Sequence, residues 1–315
     1  MPVIDTAMVD PQARERIERL KRERDAVVLA HYYVPAEVQA VADYVGDSFY
    51  LAKLAVSLPQ QVIVLCGVEF MGESVKLLNP AKTVLLPDPV ADCPMAHMVR
   101  RETVEAARAK YGDDLAIACY VNSTVEAKAW SDVCVTSSNA VKIVSELPQA
   151  NVLFVPDRNL GRYVAEQVPG KNIILNDGCC PRHEEVSLEE LEALKREHPG
   201  ALVLAHPECT AEVLELADYI GATSGIIECA ERSDAGEFII VTVRGVLHEL
   251  ERRCAGSGKR FLFTPTPPRC ADMELVTLEK VVSCLEELSG EVSVDAEAAP
   301  AAKRALDRML EYAAR

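Results

Sequence analysis

Three cysteines stand at nearly even intervals, Cys93, Cys180 and Cys270, 87 and 90 residues apart. Each lies in a loop that follows an apolar run: "LLPDPVADCPMA", "ILNDGCCPRH" and "LFTPTPPRCADM". Brought to one point, three thiolates suit a metal centre that stays partly open. Structural zinc takes a fourth protein ligand, whereas an iron-sulfur cube held at three corners leaves one iron free. Such an iron is a Lewis acid that can chelate a hydroxy acid or carboxylate and help hydroxide depart. The chain has eleven cysteines and no C-x-x-C pair, so zinc-ribbon, thioredoxin and ferredoxin patterns lack their usual signal and any metal site must draw on distant parts of the chain. Cys66, Cys119, Cys134, Cys229, Cys254 and Cys284 read as small buried hydrophobes. Cys179 and Cys209 sit close enough to the other motifs to be spare thiols near the site or, as the lesser alternative, ligands.

A second set of polar residues recurs with almost the same period. "AHYYVPAEVQAVADYVGDS" from Ala30, "CYVNSTVEAKAWSDVCVTSS" from Cys119 and "AHPECTAEVLELADYIGATS" from Ala205 align without a gap. His31, Tyr120 and His206 are equivalent, as are Tyr33, Asn122 and Glu208. So are Asp43, Asp132 and Asp218, and the hydroxyls Ser48, Ser137 and Thr223. Glu208 is the only carboxylate at its position, and a buried carboxylate beside a metal is a natural general acid or base. His31, His206 and His183, three residues beyond Cys180, are candidates for substrate contact; His97, His198 and His248 read as structural.

These residues need a frame that gathers them. Each copy opens with a short apolar run ("AVVLA", "LAIA", "ALVLA") that fits a buried parallel strand. The stretches "AEVQAVADYV" and "AEVLELADYI" place apolar residues at helical spacing and predict a helix. A second strand follows ("VIVLC", "NVLFV", "FIIVT"), then a helix ("MGESVKLL", "NLGRYVAEQ", "GVLHELERRC") and a third strand ("TVLLP", "NIILN", "RFLFT"). The pattern predicts an α/β fold of three similar parallel-sheet α/β/α domains, related by a pseudo-threefold axis with the active site at its centre. Ligands of such sheets bind beyond the carboxyl ends of the strands, where the polar triplets fall. Ser48, Ser137 and Thr223 precede apolar periodic stretches and are expected to be helix N-caps at an anion site. The expected units are an N-terminal helix over 1–25, repeats over 26–114, 115–200 and 201–290, and a tail over 291–315 that ends in a helix.

Composition narrows the partners. Of the 315 residues 49% are hydrophobic and 26% charged, a soluble balance, and no apolar run is long enough for a membrane helix. The N-terminus lacks the order of a signal peptide, which places the protein in the cytoplasm with its cysteines as thiols. A net charge of −16 disfavours nucleic acid, while small anions can still be held at helix N-termini and a metal.

The sequence resembles the quinolinate synthases, iron-sulfur enzymes of de novo NAD biosynthesis, over roughly residues 25 to 290. The resemblance rests on "AHYY" with "ADYVGDS", "MGESVKLLNPAKTVLLPD" leading to "DCPMA", "YVNSTVEAKAWSD" with "TSSNAVKIV", "VPDRNLGRYVA", "GCCPRH", "HPEC" with "GATSG", and "CADMELVTLEKV". It implies a 4Fe-4S cluster on Cys93, Cys180 and Cys270, used as a Lewis acid. It implies substrate contacts at His31, Ser48, Tyr120, Val121, Asn122, Ser137, His206, Pro207, Glu208 and Thr223, with Glu208, Tyr33 and His31 in catalytic roles. The implied reaction condenses iminoaspartate with dihydroxyacetone phosphate to quinolinate, releasing phosphate and two waters, and an L-aspartate oxidase is the implied source of iminoaspartate. Ala222 and Val243 depart from the family pattern, which carries Ser and a "TE" pair there. Two rivals are a diphthamide-type radical S-adenosylmethionine transferase, which the "YVN" and "HPE" segments disfavour, and a non-catalytic iron-sulfur sensor, which leaves the polar strand ends unexplained.

Overall fold

The apolar runs that open each copy are strands whose every residue but one is buried, as two-sided coverage by helices requires. In the computed structural model, which describes residues 9–315, each copy builds one four-stranded parallel sheet. The first contains β1 (Ala26–His31), β2 (Tyr44–Gly46), β3 (Val62–Cys66) and β4 (Thr83–Leu85). The second contains β5 (Leu115–Tyr120), β6 (Val133–Val135), β7 (Asn151–Val155) and β8 (Asn172–Leu175). The third contains β9 (Leu202–Ala205), β10 (Tyr219–Ile220), β11 (Glu237–Val241) and β12 (Arg260–Leu262). The spatial orders are β2-β1-β3-β4, β6-β5-β7-β8 and β10-β9-β11-β12, the same order three times. The fold is therefore three similar α/β units.

The predicted helix after each first strand is shorter than expected. Only Ala36–Gln39 and Ala211–Leu214 are helical, and the ends of those stretches become β2 and β10. The repeated aspartate explains the switch. Asp43 accepts the Val28 N–H at 2.8 Å and returns its own N–H to the Val28 carbonyl. Asp132 does the same to Ile117, and Asp218 to Val203. A carboxylate bond to a strand N–H is worth about 1.5–3 kcal/mol, enough to turn the chain out of a helix and lay it along the sheet. In each unit a cation from the helix preceding the sheet meets this aspartate: Lys21 on Asp43 at 2.6 Å, Arg108 on Asp132 at 3.0 Å and Lys195 on Asp218 at 4.0 Å. These cations come from helices Pro11–Arg24, Arg101–Tyr111 and Leu188–Glu197, so a leading helix belongs to each repeated unit. Of the helix expected over 1–25, residues 1–8 lie outside the described region.

The expected N-caps also shift. Asp47 caps helix Ser48–Ser57 by accepting the Tyr50 N–H, Asn139 precedes helix Ala140–Glu146, and Ala222 precedes helix Thr223–Arg232. Capping by a neighbour leaves the Ser48 hydroxyl free to face elsewhere, and Ser137 stands two residues ahead of its helix cap.

The first two units share one continuous apolar core, which helix Leu278–Glu287 joins from the end of the third repeat and helix Ala299–Ala314 completes. That helix packs on Glu69–Leu78 of the first unit and on Val125–Ala129 and β6 of the second. Its Ala302, Ala305, Leu306 and Met309 are at most 1% exposed, and Leu306 and Met309 each contribute about 1.5–3 kcal/mol of burial. The third unit has two separate clusters, one of which receives Tyr32 from the first unit. Among the described residues no helix is long and apolar enough to cross a membrane.

Candidate active site

Parallel strands end on the same side of their sheet, and in each unit the first strand delivers its polar triplet there. The three sets converge on one cavity. His31, Tyr33 and Ser48 line it from the first unit, Tyr120, Asn122 and Ser137 from the second, and His206, Glu208 and Thr223 from the third. Cys93, Cys180 and Cys270 line the same cavity, each just past the last strand of its unit. Two residues named from the resemblance do not: Val121 is buried with its N–H on the Val135 carbonyl, and Pro207 is buried between two lining residues.

The two repeat-equivalent histidines are built alike. The Tyr33 N–H donates to His31 Nδ1 at 3.2 Å, and the Glu208 N–H donates to His206 Nδ1 at 3.3 Å. A ring nitrogen that accepts carries no proton, so in the neutral ring the proton sits on Nε2. Burial lowers the pKa of His31 to about 3 and that of His206 to about 4, although the Glu208 charge opposes the shift in both. Both rings are neutral N–H donors at pH 7.

Glu208 anchors a chain of hydrogen bonds. Burial alone raises its pKa, but the His206 and His183 rings reverse that and hold it below the usual carboxylate range, at about 2. His183 Nδ1 lies 2.7 Å from Glu208 Oε2, so Nδ1–H donates to the carboxylate, and in the neutral ring Nε2 accepts. Its partner at 2.9 Å is the Thr242 hydroxyl, which is 2.7 Å from Tyr33 Oη. Tyr33 Oη lies 2.7 Å from Thr223 Oγ1 as well. One carboxylate thus sets the direction of every donor: Thr223 to Tyr33, Tyr33 to Thr242, Thr242 to His183, His183 to Glu208. A proton arriving at one end can be passed to the other. Two buried acceptors, Glu208 Oε1 and Asn122 Oδ1, have no partner among the described residues. Each costs stability unless a ligand supplies a donor.

The thiols are not activated as nucleophiles. Burial raises the pKa of Cys93, Cys180 and Cys270, and neighbouring charge adds to it, from Cys270 on Cys93, from Glu208 and Cys93 on Cys180, and from Asp272 on Cys270. Three half-buried thiols on one cavity wall, with Cys93 opposed by Cys270 and Cys180 by Cys93, are a donor set that fits a metal group, since a bound metal replaces their protons. Cys180, His183 and Glu208 also offer ligand atoms within 4.8 Å of one another. The 2.7 Å His183–Glu208 contact makes that trio a hydrogen-bonded set. The Cys180 loop is fixed by Asp157, fully buried, whose Oδ1 caps helix Arg158–Gln167 and whose Oδ2 accepts the Cys180 N–H at 3.2 Å.

Thr242, buried behind the cavity wall, and Arg182, in that wall, are residues that the sequence did not single out. Thr242 follows β11 as Pro156 and Asp157 follow β7, and comparing these second strand ends across the repeat exposes the position. Arg182, beside Cys180, lines the cavity next to the thiols. Of the two departures, Val243 lines the cavity and Ala222 is a buried helix start with no capping side chain. Cys209 is core, and all eleven cysteines are free thiols.

Three repeated parallel units around one cavity, with thiols at one part of its wall and proton-moving side chains at another, define an α/β enzyme with a thiol-lined centre. The family model described as Quinolinate synthetase A protein matches residues 15–311, and the chain belongs to that family. Among curated relatives, it is 52% identical to the quinolinate synthase of Fusobacterium nucleatum over 95% of this chain and 99% of that one. It is 47% identical to the quinolinate synthase of Caldicellulosiruptor bescii over 95% of this chain and 97% of that one. It is 45% identical to quinolinate synthase 2 of Methanosarcina acetivorans over 96% of each chain.

Proposed function

We propose that this protein is a quinolinate synthase that condenses iminoaspartate with dihydroxyacetone phosphate, releasing phosphate and two waters. The observation that carries this function is the meeting of Cys93, Cys180 and Cys270 in one cavity with Glu208 and its hydrogen-bond chain. The three thiols would hold a 4Fe-4S cluster, which when bound supplies a Lewis-acidic iron for the loss of hydroxide. The protein's own residues do the rest. His31 and His206 offer Nε2–H groups to substrate carboxylates or carbonyls, and Ser48 and Ser137 offer hydroxyls to carboxylate or phosphate oxygens. The stranded Asn122 Oδ1 takes an N–H or O–H of the substrate. Glu208 removes a proton through its unpartnered Oε1 while Oε2 stays tied to His183, and Tyr33, reached through Thr242, exchanges a proton with a leaving hydroxyl. Eleven free thiols suit the reducing cytoplasm, and an L-aspartate oxidase is the natural supplier of the unstable imine.

The test is anaerobic reconstitution with iron and sulfide counting, followed by an assay for quinolinate from freshly made iminoaspartate and dihydroxyacetone phosphate. We expect product without added S-adenosylmethionine. Glu208→Gln should abolish turnover while leaving the cluster spectrum intact; a loaded wild-type protein that makes no quinolinate would overturn the assignment.

A further inference from the structure

Outside the site lies a second, open depression, and it abuts the cavity: Asp47, Phe49 and Ser138 line both. Part of its wall is made by the helices that follow Ser48, Ser137 and Thr223. The repeat makes that wall comparable. Five residues beyond those three hydroxyls stand Lys53, Lys142 and Glu228, and all three line the depression. The other cations there are engaged. Arg252 bonds both oxygens of Glu249 at 2.6 and 2.7 Å, and Arg253 pairs with Glu231. Glu228 is partly offset by Arg232 at 3.6 Å. Lys53 and Lys142 are both exposed and enter no ion pair among the described residues, and they face the carboxylates of Asp47 and Glu228 in the same wall, on a chain whose net charge is −16.

We infer that this depression is the entrance for substrates and that Lys53 and Lys142, equivalent residues of the first two units, draw carboxylate- and phosphate-bearing molecules into it. The inference rests on the proposed function, whose two reactants are both anions at neutral pH. An acidic surface repels such molecules over most of its area. A local positive potential within a Debye length of about 8 Å raises their concentration at the mouth, and clefts of this kind change association about 10- to 1,000-fold. Long flexible ammonium stems on exposed helix turns attract without fixing a geometry, which suits an entrance better than a binding site. The competing approach, a depression lined by Tyr33, Arg244 and Arg269, shares only Tyr33 with the cavity. There the Tyr33 hydroxyl is held by two threonines, and Gly245 lies so close to the Tyr33 backbone that an added Cβ would sit 2.7 Å from it.

The test is steady-state kinetics of the reconstituted holoenzyme carrying Lys53→Glu with Lys142→Glu, and separately Glu228→Lys, at about 20 mM and about 500 mM potassium chloride. The double variant should lose about tenfold in kcat/KM at low salt with kcat within about twofold, unchanged iron content and an unchanged spectrum. The gap should close at high salt, and Glu228→Lys should raise low-salt kcat/KM about threefold. Unaltered kcat/KM, a loss confined to kcat, or a loss indifferent to salt overturns the inference. Calorimetric titration with 2-phosphoglycolate, a non-reactive anion that carries both a carboxylate and a phosphate, separates this outcome from failure of the proposed function. If wild-type protein makes no quinolinate, weaker low-salt binding by the double variant still supports the entrance, and identical binding rejects it.

Discussion

Thr242→Val tests the directional hydrogen-bond chain with the least change of shape. The threonine is fully buried and its hydroxyl makes two bonds, 2.7 Å to Tyr33 Oη and 2.9 Å to His183 Nε2. Valine keeps the volume and removes both. Two net hydrogen bonds are worth about 2 kcal/mol, and a buried imidazole nitrogen left without a donor brings the loss to about 3 kcal/mol. Tyr33 retains Thr223 at 2.7 Å, so its ring stays in place while its route to Glu208 is cut. Interrupting a general acid–base path lowers kcat by about 10²- to 10⁴-fold. Thr242→Ser is the control: it keeps the hydroxyl and loses one buried methyl, about 1 kcal/mol, so its stability falls but its turnover survives. The assays are urea unfolding and quinolinate formation by the reconstituted protein, with the cluster spectrum as a check on loading. If the valine variant turns over within threefold of wild type, or the serine variant is as impaired as valine, the chain does not carry the proton.

Acid should destabilise the protein unusually early. The unfolded chain protonates His31 and His206 near 6.5, whereas the folded protein resists until about 3 and 4, so stability is full above 6.5 and falls as the pH drops below it. The two together give a slope of about 2–3 kcal/mol per pH unit, read from urea midpoints between pH 7 and 4.5; the double variant with both as Gln should flatten it. Glu208 adds a later loss, beginning below 4.5 and complete near 2. Leu306→Ala should cost about 2–5 kcal/mol in urea unfolding, since the side chain is fully enclosed between the first two units. Asp157→Asn exchanges an acceptor for a donor opposite the Cys180 N–H, and iron per chain after reconstitution should fall by at least half while the far-ultraviolet dichroism holds.

The gathering of Cys93, Cys180 and Cys270 was legible because a repeat carries equivalent loops to equivalent places. The polar triplets were legible for the same reason: apolar strand residues must end somewhere, and His31, Tyr120 and His206 mark those ends. Less visible were features decided by contacts across distance. "AEVQAVADYV" has helical spacing, but Asp43 bonding to Val28 wins over local preference, and only the tertiary partner reveals it. Ser48 looked like a cap because a hydroxyl before an apolar stretch usually is one, while Asp47 beside it is the stronger acceptor. Thr242 had no local mark at all. Its importance comes from Tyr33 and His183, which are 209 and 59 residues away along the chain.

The helix Ala299–Ala314 closes the core shared by the first and second units, yet its residues are synthesised only after the whole of the third. On the ribosome, the first two units must therefore wait with an open apolar seam while more than a hundred further residues are translated. Nascent chains at that stage are natural clients for a holdase, and a stall within the third unit leaves an aggregation-prone half-product because the helix that covers the seam has not been made.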